Sequence, residues 1–341
     1  MRRAWGVALL VFGGCAAGTD SARPNGTAWG GEDGAGTPGA STGEGEDAAT
    51  ASSGLETDDE GGSFTDEGGE PPDDPADDGS DGGADVDTDG GGGNPSDFPP
   101  VGSFADPGPY TVVTSYNDGP GSAFALFYPS ELGSTGLHHP IVTWGNGTGA
   151  IPSYYSGLLE HLASHGFVVV ASNSTQTGSG AQMLEGLDWL VSENSGAASV
   201  FYDALDPTAV ATIGHSQGGG GAINAGADPR VVTVVPIQPA PGDVGDLSGT
   251  MFVMSGGTDS IVSAGLVESL VYNPATVPTF YGNLLAAGHF EPVGDGGQYR
   301  GPITAWLRME LMGDETADAT FFGGACLLCV DSSWDISRKE L

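Results

Sequence analysis

The sequence predicts an α/β fold, a mostly parallel central sheet with helices on both faces, preceded by a long acidic linker that builds no core. Three observations carry this. From Ala16 to Asp106 there are 23 Asp or Glu against Arg23 alone, whereas Pro107 to Leu341 carries 22 acids and five bases among regularly spaced apolar residues. From about residue 98 onward, β-branched apolar runs alternate with stretches of helical periodicity. One of those runs ends in Gly214-His215-Ser216-Gln217-Gly218, the G-x-S-x-G pattern of a strand that turns abruptly into a helix.

The first residues, "MRRAWGVALLVFGGCAAG", carry two arginines, a short apolar run and then small residues. This is export-signal architecture, too short for a spanning helix. "FGGC", ending at Cys15, resembles a bacterial lipoprotein signal, with Phe12 where Leu is usual. Residues 1–15 are therefore expected to direct export to the cell envelope, with Cys15 lipidated; plain secretion with cleavage near "CAAG" is the alternative. Residues 16–97 are Gly-, Asp- and Glu-rich and poor in aliphatic and aromatic side chains. They cannot bury enough apolar area to offset the entropy of ordering the chain, so a disordered, self-repelling linker is expected. Calcium binding or a partner tail is the sharper reading of those acids; a solvated spacer is the plainer one, and no regular repeat supports the former.

Residues 98–341 form a single-domain length. "YTVVTSYN" and "SAFALFYP" read as two strands joined by the turn "DGPG". Ile141–Trp144 reads as a short strand entering the glycine loop "WGNGTG". "SYYSGLLEHLASHG" is helical and stops at Gly166. "FVVVAS" is apolar throughout, as in a strand buried on both faces. "AQMLEGLDWLVSE" is helical, "TAVATIG" leads to the glycine stretch, "RVVTVVPIQ" and "TMFVMSGG" are two further strands, and "ITAWLRMELMG" is a late helix. The net charge of −37 argues against nucleic acid and anionic membrane surfaces as partners. Membrane attachment is expected only through the lipid anchor, and nothing calls for an oligomer, a metal or a cofactor.

In a parallel sheet, functional loops lie at the carboxyl ends of strands, where Ser216 falls. A serine needs a base to take its proton. The G-x-S-x-G order is Ser, acid, His, and of the six histidines only His289 follows Ser216; His138, His139, His161 and His165 precede it, and the ring of His215 is expected to point away from the hydroxyl. Asp259 ends the strand "TMFVMSGGTD" and is the candidate acid, ahead of Asp228, Asp243 and Asp246. It would hold the second ring N–H of the histidine. The oxyanion of a tetrahedral intermediate requires N–H donors: one from the backbone of Gln217, the other from the "WGNGTG" loop. Cys326 and Cys329, in an exported chain with no second C-x-x-C, suggest a small disulfide rather than a metal site.

"LASHGFVVVASNS", "GHSQGGGGAINAG", "GGTDSIV", "AAGHFEP" and "ITAWLRMELMGDE" together resemble the α/β-hydrolases of the bacterial cutinase and poly(ethylene terephthalate) hydrolase group, with kinship to chlorophyllase-like and dienelactone-hydrolase-like esterases. The likeness runs from about Phe104 to Asp335. It implies hydrolysis of carboxylic esters through an acyl-enzyme, with Ser216 as nucleophile, Asp259 as acid and His289 as base. Counting back from "LASHG", it puts the second oxyanion donor on Thr148. It also implies a C-terminal disulfide, which Cys326 and Cys329 would form with a much shorter loop. The chain departs from the group at three places: Gln217 stands where Met is usual, Gly242 falls near the position of a Trp, and Thr148 replaces an aromatic residue. An aromatic clamp is therefore not expected, and small esters fit better than plastic or cutin. Tyr154, Tyr155 and Phe290 are candidate cleft residues, with plain packing as the alternative for each. A catalytically silent surface-displayed binding protein on the same scaffold is the competing function.

Overall fold

A computed structural model describes residues 97–341 except Ser134, Thr135 and Ala325. The expected export signal, Cys15 and all but the last residue of the 16–97 linker lie outside the described residues. The hairpin expected at the start is β1 (Val112–Asp118) and β2 (Phe124–Pro129), paired antiparallel. Then come β3 (His139–Gly145), α1 (Ser156–Ser164), β4 (Val168–Ser172), α2 (Ala181–Ser195), β5 (Leu205–His215), α3 (Gln217–Ala225) and β6 (Val231–Ile237). The chain continues through β7 (Thr250–Gly256), α4 (Ala264–Val267), β8 (Thr279–Leu284), α5 (Arg300–Met312), α6 (Asp318–Phe321), α7 (Leu327–Val330) and β9 (Trp334–Lys339).

All nine strands form one sheet, in the order β1-β2-β4-β3-β5-β6-β7-β8-β9. The six from β4 to β8 are mutually parallel, and the flanking β2 and β9 are antiparallel to their neighbours. Because side chains alternate along a strand, the sheet builds two cores. Val169 and Ala171 of β4 and Phe252 and Met254 of β7 pack with α1 and α5 on one face. Val168, Val170, Met251 and Val253 pack with α2 and α3 on the other. This double burial is why β4 reads as an unbroken apolar run.

Strands β8 and β9 have no counterpart in the sequence reading. In β8, "TFYGNL", Gly282 interrupts the apolar pattern. A Cβ there would lie 3.0 Å from the Trp334 ring of β9, so the glycine makes room for the neighbouring indole. In β9, "WDISRK", only one face is apolar, and its charges read as a tail.

The order β4-β3-β5 is the feature that positions a site. From β3 the chain crosses to β4 through α1 on one face, then returns to β5 on the far side of β3, and leaves β5 through α3 on the opposite face. Loops after β3 and β5 therefore diverge and leave a crevice at the carboxyl end of the sheet.

Beneath the sheet a buried ion pair fastens the domain's ends. Arg308 of α5 has a fully buried side chain; its Nε donates to Asp314 Oδ2 at 2.6 Å, and its Nη1 and Nη2 donate to the carbonyls of His165 and Pro99. Burial alone would push the Asp314 carboxyl up, but hydrogen bonds from Thr316 and Arg308 outweigh it and hold its pKa below the ordinary carboxylate value. Every donor group of this cation faces an acceptor, which is the condition under which a buried charge is tolerated. Arg308→Leu leaves Asp314 buried and unpaired, and should cost about 3–5 kcal/mol in urea unfolding. A loss below about 1 kcal/mol, the scale of an exposed pair, would show that the pair is not the fastening it looks to be.

Candidate active site

The turn from β5 into α3 explains its own sequence. Gly145, Gly214 and Gly218 bring three backbone segments into contact. A Cβ on Gly214 would collide with the Gly218 carbonyl, and one on Gly218 with the Gly145 carbonyl. Ser216, between them, is held at φ 55°, ψ −118°, a left-handed conformation that costs a non-glycine residue about 1–3 kcal/mol. Four backbone hydrogen bonds hold it: its N–H donates to Ile237 C=O at 3.0 Å, and its own C=O accepts from Gly219, Gly220 and Ala240.

Parallel neighbours bring the other two groups alongside. Asp259 follows β7, and its Oδ1 accepts from the N–H groups of Ile261 and Val262 at 2.8 and 2.9 Å. His289 follows β8, the strand the sequence reading missed. Its Nδ1 lies 2.7 Å from Asp259 Oδ2, and its Nε2 lies 2.9 Å from Ser216 Oγ. A carboxylate oxygen can only accept, so Nδ1 carries the hydrogen and Nε2 faces the serine with its lone pair. The rival acids are engaged elsewhere: Asp228 pairs with Arg230, and Asp243 accepts from Gly245 N–H.

In the loop after β3, nearly every backbone donor is committed. Gly147 N–H donates to the Tyr155 hydroxyl, Gly149 N–H to Thr175 C=O, and Ala150 N–H to Gly147 C=O. Among the described residues Thr148 N–H has no acceptor, and neither has Gln217 N–H in the first turn of α3. Both residues flank the serine. The Gln217 side chain turns away from the crevice: Oε1 accepts from Thr177 N–H and Nε2 donates to Gln176.

The crevice holds about 350 Å³ and is walled mainly by apolar groups around Ser216 and His289. Tyr154 (56% exposed), Ile261 (59%) and Phe290 (70%) form an open rim, and Val293 joins them. Tyr155 differs from its neighbour. It is 1% exposed, and its hydroxyl is spent on Gly147 N–H and His215 Nδ1, so it stands in the wall and offers its polar end to the protein. His215 also stands in this wall, its ring centroid 4.8 Å from that of His289 and tilted 44° to it, with Nε2 bonded to His289 C=O at 2.8 Å. No pattern in the chain signals this, since the position before the serine is open in G-x-S-x-G. Gly242 is packed against Ile223 and Gly220 of α3 and does not reach the crevice wall. Cys326 and Cys329, just before β9, are joined, with an S–S distance of 2.10 Å.

The model of the PET hydrolase-like family matches residues 99–327. The chain belongs to that family. This PET hydrolase-like chain has the α/β-hydrolase fold, with helices on both faces of its mixed sheet. It is 31% identical over 177 residues to cutinase est2 of Thermobifida alba, an alignment covering 49% of this chain and 57% of that protein. It is 28% identical over 204 residues to a bis(hydroxyethyl) terephthalate hydrolase of Streptomyces coelicolor, covering 54% of this chain and 62% of the relative. The matched region thus spans less than two thirds of each of these two relatives. Cutinase 1 of Thermobifida cellulosilytica is 26% identical over 207 residues, covering 54% of this chain and 78% of the relative.

Two buried histidines of this PET hydrolase-like domain give a pH prediction. His215 is pushed down to about 4, by burial first and by the adjacent His289 ring next. His165 is also pushed down to about 4; burial is the main cause, opposed in part by its hydrogen bond to Asp106 C=O. An unfolded histidine titrates near 6.5. Between those values the unfolded chain binds protons that the folded chain refuses, so stability falls as pH drops from about 6.5 toward 4. The urea midpoint at pH 4.5 should lie below that at pH 7.5. His165→Gln keeps a donor for Asp106 and removes the titrating ring, so it should narrow the gap; an unchanged gap would clear His165 of any part in it.

Proposed function

We propose that this chain is an exported serine hydrolase that cleaves carboxylic esters through an acyl-enzyme. The observation that carries the reading is the unbroken run from Asp259 Oδ2 through His289 to Ser216 Oγ, at 2.7 and 2.9 Å, opening on an apolar crevice. Nucleophile and base within hydrogen-bond reach, with the base oriented by a third group, is the arrangement that activates a serine.

His289 Nε2 takes the Ser216 proton as Oγ adds to the ester carbonyl. The imidazolium is balanced by Asp259, whose second oxygen is fixed by two backbone donors. The N–H groups of Gln217 and Thr148 receive the oxyanion; being unspent, they cost no rearrangement when charge develops. His289 then protonates the leaving alcohol, and a water repeats the sequence to release the acid. Family membership and the likeness to a cutinase and a bis(hydroxyethyl) terephthalate hydrolase support esters as the substrates.

A polyester is the second reading, favoured by the rim. Tyr154, Ile261 and Phe290 stand open at the surface, as suits a chain laid across the crevice better than a molecule enclosed in it. We further propose that Cys15 carries a lipid, so that the domain hangs from the cell envelope on the acidic linker. Cys15→Ala in the producing cell should then move the protein from the membrane fraction to the medium or the soluble fraction, and an unchanged distribution would leave plain secretion.

Ser216→Ala should lower kcat on p-nitrophenyl butyrate by about four to six orders of magnitude, and Asp259→Asn by about four. A phosphonate ester should label Ser216. Turnover retained by Ser216→Ala would overturn the nucleophile, and a wild-type protein inert to both reagents would favour the silent binding scaffold. Release of soluble acid from a polyester film, run beside the small ester, separates the two substrate readings.

A further inference from the structure

Two buried polar side chains stand in the crevice wall with no part in the chemistry above. Tyr155 and His215 are 1% and 2% exposed, and both lie within hydrogen-bond distance of backbone that the reaction uses. We propose that they are positioning residues, forming one directed hydrogen-bond chain that locks the loop carrying Thr148 to the peptide carrying His289. The inference rests on the ester-hydrolase reading and adds to it two residues that act through others.

The direction of every bond is forced. His289 C=O can only accept, so His215 Nε2 carries its hydrogen across the 2.8 Å contact. The ring is neutral at ordinary pH, since burial holds its pKa at about 4, so Nδ1 is an acceptor. The Tyr155 hydroxyl, 3.0 Å away, must therefore donate to Nδ1. Its oxygen is then left to accept from Gly147 N–H at 3.2 Å. The chain runs Gly147 N–H to Tyr155 O–H to His215 to His289 C=O, with no donor or acceptor facing its own kind.

Each end lies on, or next to, a residue of the proposed machinery. Gly147 precedes Thr148, the residue whose N–H is unspent. At the other end, the carbonyl held by His215 belongs to His289 itself, and the preceding carbonyl, of Gly288, is held by Gln238 Nε2 at 2.9 Å. Two consecutive carbonyls of the histidine loop are thus gripped from the ends of β5 and β6. The fit is close: a Cβ on Gly147 would lie 2.9 Å from the Tyr155 hydroxyl oxygen, so the peptide rests directly on it. Without the hydroxyl, two buried polar groups lose their partner and the loop is free to shift against the base. Shifts below an ångström at such a site lower kcat by about ten- to a hundredfold. Binding of the acyl group, which depends on the apolar rim, changes little.

The test uses the full chain and p-nitrophenyl butyrate, with active sites counted by phosphonate titration. Tyr155→Phe is nearly isosteric and should lower kcat per titrated site about tenfold or more, with KM within about twofold. His215→Phe should do the same, and the double variant should be no worse than the poorer single one, because either change breaks the whole chain. Histidine-selective 15N spectra should show His215, identified by its loss in His215→Phe, as the Nε2–H tautomer, with an Nδ1 resonance that moves in Tyr155→Phe. If His215→Phe fails to fold, Tyr155→Phe and the spectra carry the result alone. Unchanged kcat per site in Tyr155→Phe, multiplicative losses in the double variant, or His215 in the Nδ1–H tautomer would each overturn the inference while wild-type turnover leaves the ester reading standing. A wild type that neither turns over nor takes the phosphonate overturns both.

Discussion

The structure depends on a contact between three pieces of backbone that no side chain could enter. Gly145 ends β3, Gly214 lies near the end of β5, and Gly218 lies in the first turn of α3; a Cβ on any of the three would run into the backbone of another. That contact lets α3 start directly on the sheet and forces the intervening Ser216 to φ 55°. The strain is local and is held by four backbone hydrogen bonds. It has two consequences. The serine side chain is lifted toward the crevice, and the first-turn N–H of Gln217 is left with no acceptor among the described residues. A looser turn would relieve the serine and spend that donor, so strain and unspent donor come from one cause.

The parallel sheet does the remaining positioning. In a parallel ladder the strands end together, so residues one to five positions beyond β5, β7 and β8 are brought alongside although more than seventy residues separate Ser216 from His289. The registers show it: His215 pairs with Ile237, Ile237 with Met254, and Gly256 with Leu284. A slip of one residue between β7 and β8 would carry His289 about 3.3 Å along the strand, which exceeds the whole length of either bond it makes. The two cores, the one packed against α1 and α5 holding the fully buried indoles of Trp144 and Trp306, are what hold that register.

Much of this was legible in the chain, and the exceptions have physical reasons. The doubly buried strands β4 and β5 announce themselves because both faces are apolar. The elbow is legible because its glycines are required by contact and leave a fixed spacing. His289 was reachable by elimination, yet the strand that carries it was not, because Gly282 makes room for Trp334, a residue more than fifty positions away. The link between His215 and Tyr155 was not legible for a related reason. Tyr154 and Tyr155 both line the crevice, but adjacent residues of the short helical turn before α1 face different ways: Tyr154 meets solvent while Tyr155 turns inward to His215. Hydrogen bonds between groups sixty residues apart have no periodicity for a sequence pattern to show. The linker and the export signal rest on composition alone, outside the described residues.

Packing also sets what position 242 can carry. At Gly242 the space a side chain would need is filled by Ile223 and by the carbonyl of Gly220, both on α3. A large residue there would have to push the helix that follows the nucleophile, and with it the strained turn. Gln217 reinforces this: its side chain ties the start of α3 to Thr177 and Gln176 in the loop after β4, away from the crevice. The crevice rim is built from the other side, by Tyr154 on the short helical turn before α1, Ile261 after β7 and Phe290 after β8. Phe290 follows the catalytic candidate His289 directly, with ring centroids 5.6 Å apart. In the proposed mechanism, the group that contacts the acyl chain and the group that moves the proton are thus neighbours on one loop, and the carbonyl of the second is what His215 holds.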